Sequence, residues 1–156
     1  MRRADLEPAV YAVVLAALAA LLVTEGRRRV ELERRLPVEA KEAYRTLARS
    51  QTAWQVVDVR PDLADGFDDA HVPGALPLPG CDPARAPEAA RDRILTSVPT
   101  LVITAEGDEP GLSACLARFG AARSLAGGMA AWSAARLPED SGSYSPPSAK
   151  AGGGCL

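Results

Sequence analysis

The strongest constraint on the fold is an alternation of short apolar strands with helical segments between Pro37 and Leu137. Two continuous apolar runs of strand length are "WQVVDV" (54–59) and "TLVIT" (100–104), and "ARSL" (122–125) predicts a short third strand. Helices are predicted from "PVEAKEAYRTLARS", "DPARAPEAARDRIL", "GLSACLARFG" and "GGMAAWSAARL". Alternating strands and helices build a parallel sheet covered on both faces, so the predicted fold class is α/β.

A second feature is an uninterrupted apolar run of 15 residues from Ala9 to Val23. As a helix it would be about 23 Å long, against a hydrocarbon core of roughly 30 Å. We predict a single transmembrane helix; a buried core helix and a cleaved signal peptide are the alternatives. Two arginines precede the run and five follow it (Arg2, Arg3; Arg27, Arg28, Arg29, Arg34, Arg35). This excess predicts a single-pass protein of the cell (inner) membrane with its globular part in the cytoplasm.

Within this run Ala12, Ala16 and Ala20 recur at four-residue spacing and would share one helix face. Small residues on one face let a neighbouring membrane helix approach closely. Alanine is also common throughout the chain, which explains the spacing equally well. We predict that the helix packs against integral membrane proteins.

The composition divides the chain into a membrane anchor with a basic juxtamembrane segment (1–36), a globular domain (37–138) and a disordered tail (139–156). The tail prediction rests on its Gly, Ser and Pro content. Net charge is −2 and aromatic residues make up 4% of the chain. Outside the basic cluster the arginines are scattered, so nucleic acid is not an expected partner.

The cysteines are three in number, Cys81, Cys115 and Cys155, and His71 is the single histidine. Their spacing fits no zinc motif, and an odd count argues against a disulfide framework. We therefore expect three free thiols in a reducing compartment, no metal and no cofactor. Cys115 lies inside a predicted helix and is expected to belong to the core.

Three motifs occur in a fixed order: "VVDVR" (56–60), "AHVPGA" (70–75) and "LAGGMAAW" (125–132). Together they resemble the rhodanese-like domain over residues 37–138. The resemblance implies a doubly wound parallel sheet of about five strands with ligands at the strands' carboxyl ends. We expect structural roles for the motif residues. Asp58 accepts hydrogen bonds at a strand end with Arg60 as its local partner, and a turn is formed by His71, Pro73 and Gly74. Gly127 and Gly128 form a strand-to-helix entry, and Trp132 is a core anchor.

The resemblance also implies a nucleophilic cysteine at the end of the second core strand, where this chain has Ala105. The loop that follows is Glu106, Gly107, Asp108, Glu109 and Pro110, which offers carboxylates to a site that would bind an anionic sulfur donor. The resemblance therefore predicts a pseudoenzyme. We further expect Asp108 or Glu109 to cap the next helix, with Pro110 at its first position, and to fill the anion's place.

The predicted function is a membrane-anchored, catalytically inactive rhodanese-like domain that serves as an interaction module or accessory subunit of a membrane protein complex. Two alternatives remain open. One is an enzyme that moves sulfur or handles small anions through a non-standard thiol, Cys81. The other is a ligand-binding sensor whose acidic loop takes a cation or an amine.

Overall fold

The structure, a computed structural model, describes residues 6–49 and 54–146. It divides into two compact units, the first ending at Arg35 and the second beginning at Leu36. The first unit is one helix of 30 residues, α1 (Leu6–Arg35), which contains the whole apolar run. Side chains from Val10 to Gly26 are exposed. Over the residues described, none of the helices has the length and apolar character that crossing a membrane requires.

The second unit is built on four parallel strands: β1 (Gln55–Asp58), β2 (Leu76–Pro77), β3 (Pro99–Ile103) and β4 (Ala121–Ser124). Their order across the sheet is β2-β1-β3-β4. In the register, Val57 lies opposite Val102 of β3 and Leu76 of β2. All four carboxyl ends therefore point to the same edge of the sheet, where α/β folds place their ligands.

Alternate side chains of the central strands enter two separate hydrophobic clusters, one on each face. Val56, Leu101 and Ile103 pack with α2 (Ala40–Arg49) and α5 (Gly128–Ala134). Val57 and Val102 pack on the other face with Cys115 of α4 (Leu112–Leu116) and with the loop that precedes α3 (Glu88–Arg91). This two-sided burial explains why the strands read as continuous apolar runs.

The expectation of about five strands is wrong, because the described sheet has four. A further segment reaches its edge at one point, where Val38 forms a single parallel bridge with Leu125 just beyond β4. The Val38 N–H donates to the Ser124 carbonyl at 2.8 Å. Pro37 has no N–H to donate, and α2 begins at Ala40, so the segment is too short to continue as a strand.

The predicted tail begins later than its composition indicates. Asp140 exchanges both backbone hydrogen bonds with His71, at 2.8 and 2.9 Å, and Gly142 donates to the Asp68 carbonyl at 2.6 Å. Tyr144 packs against the core cluster that contains α2 and α5. Residues 140–144 therefore belong to the domain, because partners distant in sequence hold them there. The rest of the predicted tail, 147–156, lies outside the described residues.

Candidate functional site

The candidate site is the loop from Thr104 to Gly111, which leaves the carboxyl end of β3 and leads into α4. Ala105 is exposed at the start of this loop, and its side chain is a methyl group. Thr104 is 1% exposed, and its Oγ1 accepts a hydrogen bond from the Gly107 N–H at 2.8 Å. The buried threonine thus holds the first turn of the loop closed from beneath.

A carboxylate of the protein itself lies against the backbone of Ala105. The Ala105 N–H donates to Glu109 Oε1 at 2.5 Å, so the half-buried Glu109 side chain folds back across the loop. Glu106 and Asp108 are exposed. The Ala105 N–H is therefore already paired with a negatively charged group.

The expected helix cap is wrong in its details. The N-cap of α4 is Gly111, in the left-handed conformation with φ +88°, and no side chain caps the helix. Pro110 therefore lies one residue before the cap instead of at the first helical position. Glu109 satisfies the loop amide of Ala105 instead of an amide of α4, because the loop turns back on itself before the helix begins.

Two glycines at the start of α5 allow the loop to pack against that helix. Gly128 has φ +56°, and a Cβ placed on it would lie 2.5 Å from the Thr104 carbonyl oxygen. The Met129 N–H donates to that oxygen at 2.8 Å, and the Ala130 N–H donates to the Ala105 carbonyl at 3.1 Å. On the loop side, a Cβ placed on Gly107 would likewise lie too close to the backbone nitrogen of Gly127. The glycine pair thus fixes the loop on the N-terminal end of α5.

Asp58 and Arg60 form the local pair expected at the end of β1. Asp58 is 2% exposed, and its two carboxylate oxygens accept hydrogen bonds from Arg60 Nε and Nη2 at 2.6–3.1 Å. Arg60 Nη2 also donates to the Ala70 carbonyl at 2.6 Å. The guanidinium group therefore connects the end of β1 to the segment before His71.

The remaining motif residues also have structural contacts. His71 is 8% exposed, stacks on Phe67 with ring centroids 3.9 Å apart, and has its Nδ1 2.7 Å from the Phe67 carbonyl oxygen. Pro73 and Gly74 occupy the turn that follows, where Gly74 has φ +75°. Trp132 is 1% exposed and donates from Nε1 to the Pro138 carbonyl at 2.8 Å. Each of these residues therefore contacts other parts of the domain, and the roles given to them from the sequence stay predictions.

The expectation of three free thiols is wrong for two of them, because Cys81 and Cys115 form a disulfide. Their Cα atoms are 5.7 Å apart, although 34 positions separate them in sequence. Cys115 is buried in the cluster below α4, as expected. The sequence did not predict this disulfide, because the topology of the sheet, and not the spacing of the cysteines, brings the loop after β2 next to α4. Cys155 lies outside the described residues.

The helix-packing alanines and the acidic loop are the other sites predicted from the sequence. Ala12, Ala16 and Ala20 are exposed on α1, and nothing described there tests their helix-packing role. Among the residues described, no three His, Cys, Asp or Glu side chains are grouped so that they could hold a metal ion. The acidic loop contributes Glu106, Asp108 and Glu109 to one turn, with Glu109 engaged by Ala105.

Comparison with known proteins places the fold in one family, since the model of the rhodanese-like domain matches residues 39–135. The BH2092 protein of Bacillus halodurans is 19% identical with a TM-score of 0.57, covering 76% of this chain and 85% of that one. The Alr3790 protein of Anabaena sp. is 28% identical with a TM-score of 0.51, covering 67% and 80%. Thiosulfate sulfurtransferase of Pseudomonas aeruginosa is 22% identical with a TM-score of 0.51, covering 73% and 22%. No curated protein sequence matches this chain.

Proposed function

The chain belongs to the rhodanese-like domain family, and we propose that this member is membrane-anchored and catalytically inactive. It acts as an interaction module or as an accessory subunit of a membrane protein complex. The observation that carries the proposal is the pairing of the Ala105 N–H with the Glu109 carboxylate. A methyl group stands where the resemblance expects a nucleophile, and an internal anion occupies the amide beside it.

Electrostatics support the same proposal. A sulfur donor such as thiosulfate is an anion, and it would approach a loop that exposes the carboxylates of Glu106 and Asp108. Carboxylates of one sign at the mouth of a site lower the local concentration of an anionic substrate. The arginine at the neighbouring strand end, Arg60, is bound to the Asp58 carboxylate and therefore does not offset them.

The anchor part of the proposal rests on α1. Its side chains from Val10 to Gly26 are exposed, and most of them are apolar. A helix that is apolar all round needs burial on every side. We propose that lipid and the helices of integral membrane proteins supply that burial, with the alanine stripe facing a partner helix. The arginine excess after the helix supports a cytoplasmic globular domain.

A sulfur-transfer assay tests the loss of activity. The full-length chain, reduced and in mild detergent, is incubated with thiosulfate and cyanide, and thiocyanate is measured. We expect no transfer above the protein-free background. Transfer that Cys81→Ser abolishes would instead establish the enzyme alternative, since reduction frees that thiol. Transfer that persists without any cysteine would overturn the reasoning about the loop.

Native purification tests the accessory-subunit role. The chain is extracted from its own membrane in mild detergent, and mass spectrometry identifies proteins retained in stoichiometric amount. Replacing Ala12, Ala16 and Ala20 by Leu should release them, because the added side chains separate the helices. Leucines at Val10, Val14 and Ala17 form the control, since these positions lie about 100–160° around the helix from Ala16, the middle of the stripe.

Equal retention in both triple variants would contradict the alanine interface. A chain that purifies alone from its native membrane would contradict the accessory-subunit role itself. Because the sulfur-transfer assay needs no partner, either half of the proposal can fail without the other.

A further inference from the structure

The Cys81–Cys115 disulfide joins one accessible and one inaccessible sulfur-bearing residue. Cys115 is 3% exposed within the hydrophobic cluster below α4, whereas Cys81 is partly exposed in the loop after β2. Of the two residues, Cys81 therefore offers a nucleophile the more open approach to the folded domain's disulfide. Thiol–disulfide exchange depends on access and on which sulfur is attacked. The difference in exposure between the two residues therefore favours attack on Cys81.

The backbone at Cys81 is held in a conformation unusual for a side-chain-bearing residue. Cys81 has φ +59° and follows Gly80 at φ +63°. Three backbone hydrogen bonds fix this turn, including the one from the Gly80 N–H to the Val59 carbonyl at 2.9 Å. The turn therefore presents Cys81 at the carboxyl edge of the sheet, just beyond β1, where α/β domains carry their reactive groups.

Two guanidinium groups surround this turn. Arg118 Nη1 donates to the Cys81 carbonyl at 2.9 Å. Arg85 Nη2 donates to the Pro61 carbonyl at 2.9 Å, and its Nη1 lies 3.0 Å from where a Cβ on Gly80 would be. The Asp82 carboxylate also lies beside the turn, where it accepts from the Ala84 N–H. Arg85 and Arg118 against Asp82 leave a net positive charge around the turn, and surroundings of this kind stabilise thiolates in proteins.

From this arrangement we infer that Cys81–Cys115 is a thiol–disulfide exchange site whose substrate is a dithiol, either a small molecule or a protein with a redox-active cysteine pair. The cytoplasmic placement proposed above agrees with this activity. Disulfides in the reducing cytosol of mesophiles, where present, are usually transient and catalytic or redox-sensing. The inference does not require the domain to lack sulfur transfer.

The reaction balances as two successive displacements. A thiolate of the dithiol attacks Cys81 Sγ, the Cys81–Cys115 bond breaks, and its electron pair passes to Cys115 Sγ, which takes up a proton. The second thiol of the dithiol loses its proton and attacks the substrate sulfur of the mixed disulfide. Cys81 leaves as a thiolate beside Arg118. The dithiol loses two electrons and two protons and becomes a disulfide. The cysteine pair gains the two electrons, Cys115 takes up one proton, and the other proton passes to solvent, which leaves Cys81 as the thiolate.

The first test asks whether exchange occurs in the folded domain. Full-length chain carrying Cys155→Ser, oxidised and in mild detergent, is mixed with dithiothreitol at several urea concentrations below the unfolding transition. We expect a reduction rate that does not depend on urea, because Cys81 is attacked without unfolding. A rate that rises with urea in parallel with the unfolded fraction would show a purely structural cross-link and overturn the inference.

The second test identifies the attacked sulfur. A thioredoxin whose resolving cysteine is replaced by serine serves as the probe, since it stops at the mixed disulfide. Peptide mapping should find that adduct on Cys81, and an adduct on Cys115 would contradict the proposed direction. These assays use purified protein, so they give the same answer on whichever side of a membrane the domain resides.

The third test concerns the arginine. In the reduced chain, Arg118→Gln should slow alkylation of Cys81 by iodoacetamide at neutral pH by about three- to tenfold, because a smaller fraction is thiolate. Arg118→Lys should retain most of the rate because it keeps the charge. Arg93→Gln removes an exposed arginine elsewhere and should change nothing. An unaltered rate in Arg118→Gln would remove the electrostatic part of the inference.

Discussion

Opening the Cys81–Cys115 cross-link should produce a large loss of stability in this domain. The bond closes a loop with a sequence separation of 34 residues. In the loop-entropy treatment, that closure stabilises the folded state by about 3.8 kcal/mol at 25 °C, because it restricts the unfolded chain. For a domain of this size, the loss corresponds to a fall of about 15–20 °C in Tm.

The measurement is thermal unfolding of the full-length chain in mild detergent, oxidised and reduced, followed by tryptophan fluorescence. Trp132 is 1% exposed and reports on the core between the sheet and α5. Reduction of the wild-type protein isolates the cross-link, because both sulfur atoms stay in place and no cavity is created. Cys155→Ser is the control and should leave the difference between oxidised and reduced protein unchanged.

A fall in Tm of less than about 5 °C on reduction would refute this reasoning. It would mean that the loop between the two cysteines remains restricted in the unfolded chain, or that the bond does not form. Alkylation before and after reduction separates these two outcomes. A large stabilisation and exchange in the folded state are compatible, since the first concerns the unfolded chain and the second concerns access to Cys81.

Three further predictions concern the site loop and its supports. Ala105→Cys combined with Glu109→Gln should transfer sulfur from thiosulfate to cyanide faster than Ala105→Cys alone, because the loop amide is then released; equal rates would contradict the self-filled loop. Gly128→Ala should lower the free energy of unfolding by about 2–4 kcal/mol, as measured by urea unfolding. Gly142→Ala should lower it less, because Gly142 also has a positive φ but has open space around it. Asp58→Asn should cost about 3–5 kcal/mol because the arginine two residues later loses its buried partner. Replacing that arginine by methionine as well should recover part of the loss, and urea unfolding that shows no recovery would argue against the ion-pair account.

The architecture was predictable where its cause is local. The apolar runs at 54–59 and 100–104 became central strands because both of their faces are buried, and such strands need no alternation of polar residues. The pairing of Asp58 with Arg60 was predictable because the partners are two residues apart. The glycine pair at 127–128 indicated a strand-to-helix entry, and both glycines have positive φ between β4 and α5.

The composition of the candidate loop could be read from the sequence, but its geometry could not. The sequence places Ala105 and the carboxylates in one loop, and the resemblance makes that loop the candidate site. Which carboxylate turns inward depends on the left-handed residue at Gly111, which delays the start of α4 beyond Pro110. The cap predicted from Asp108 or Glu109 therefore gave way to the bond between Glu109 and the Ala105 N–H.

By itself, then, the sequence determined the α/β class, the family motifs and the absence of a cysteine at position 105, because each is written in adjacent residues. The tertiary structure alone decided the joining of Cys81 to Cys115 and the docking of Asp140 on His71. Both depend on how parallel strands bring distant loops to the same edge of the sheet. The spacing of two residues along the chain does not predict this proximity. The free energy of closing a loop depends only weakly on its length, so the sheet, and not the spacing, sets these distances.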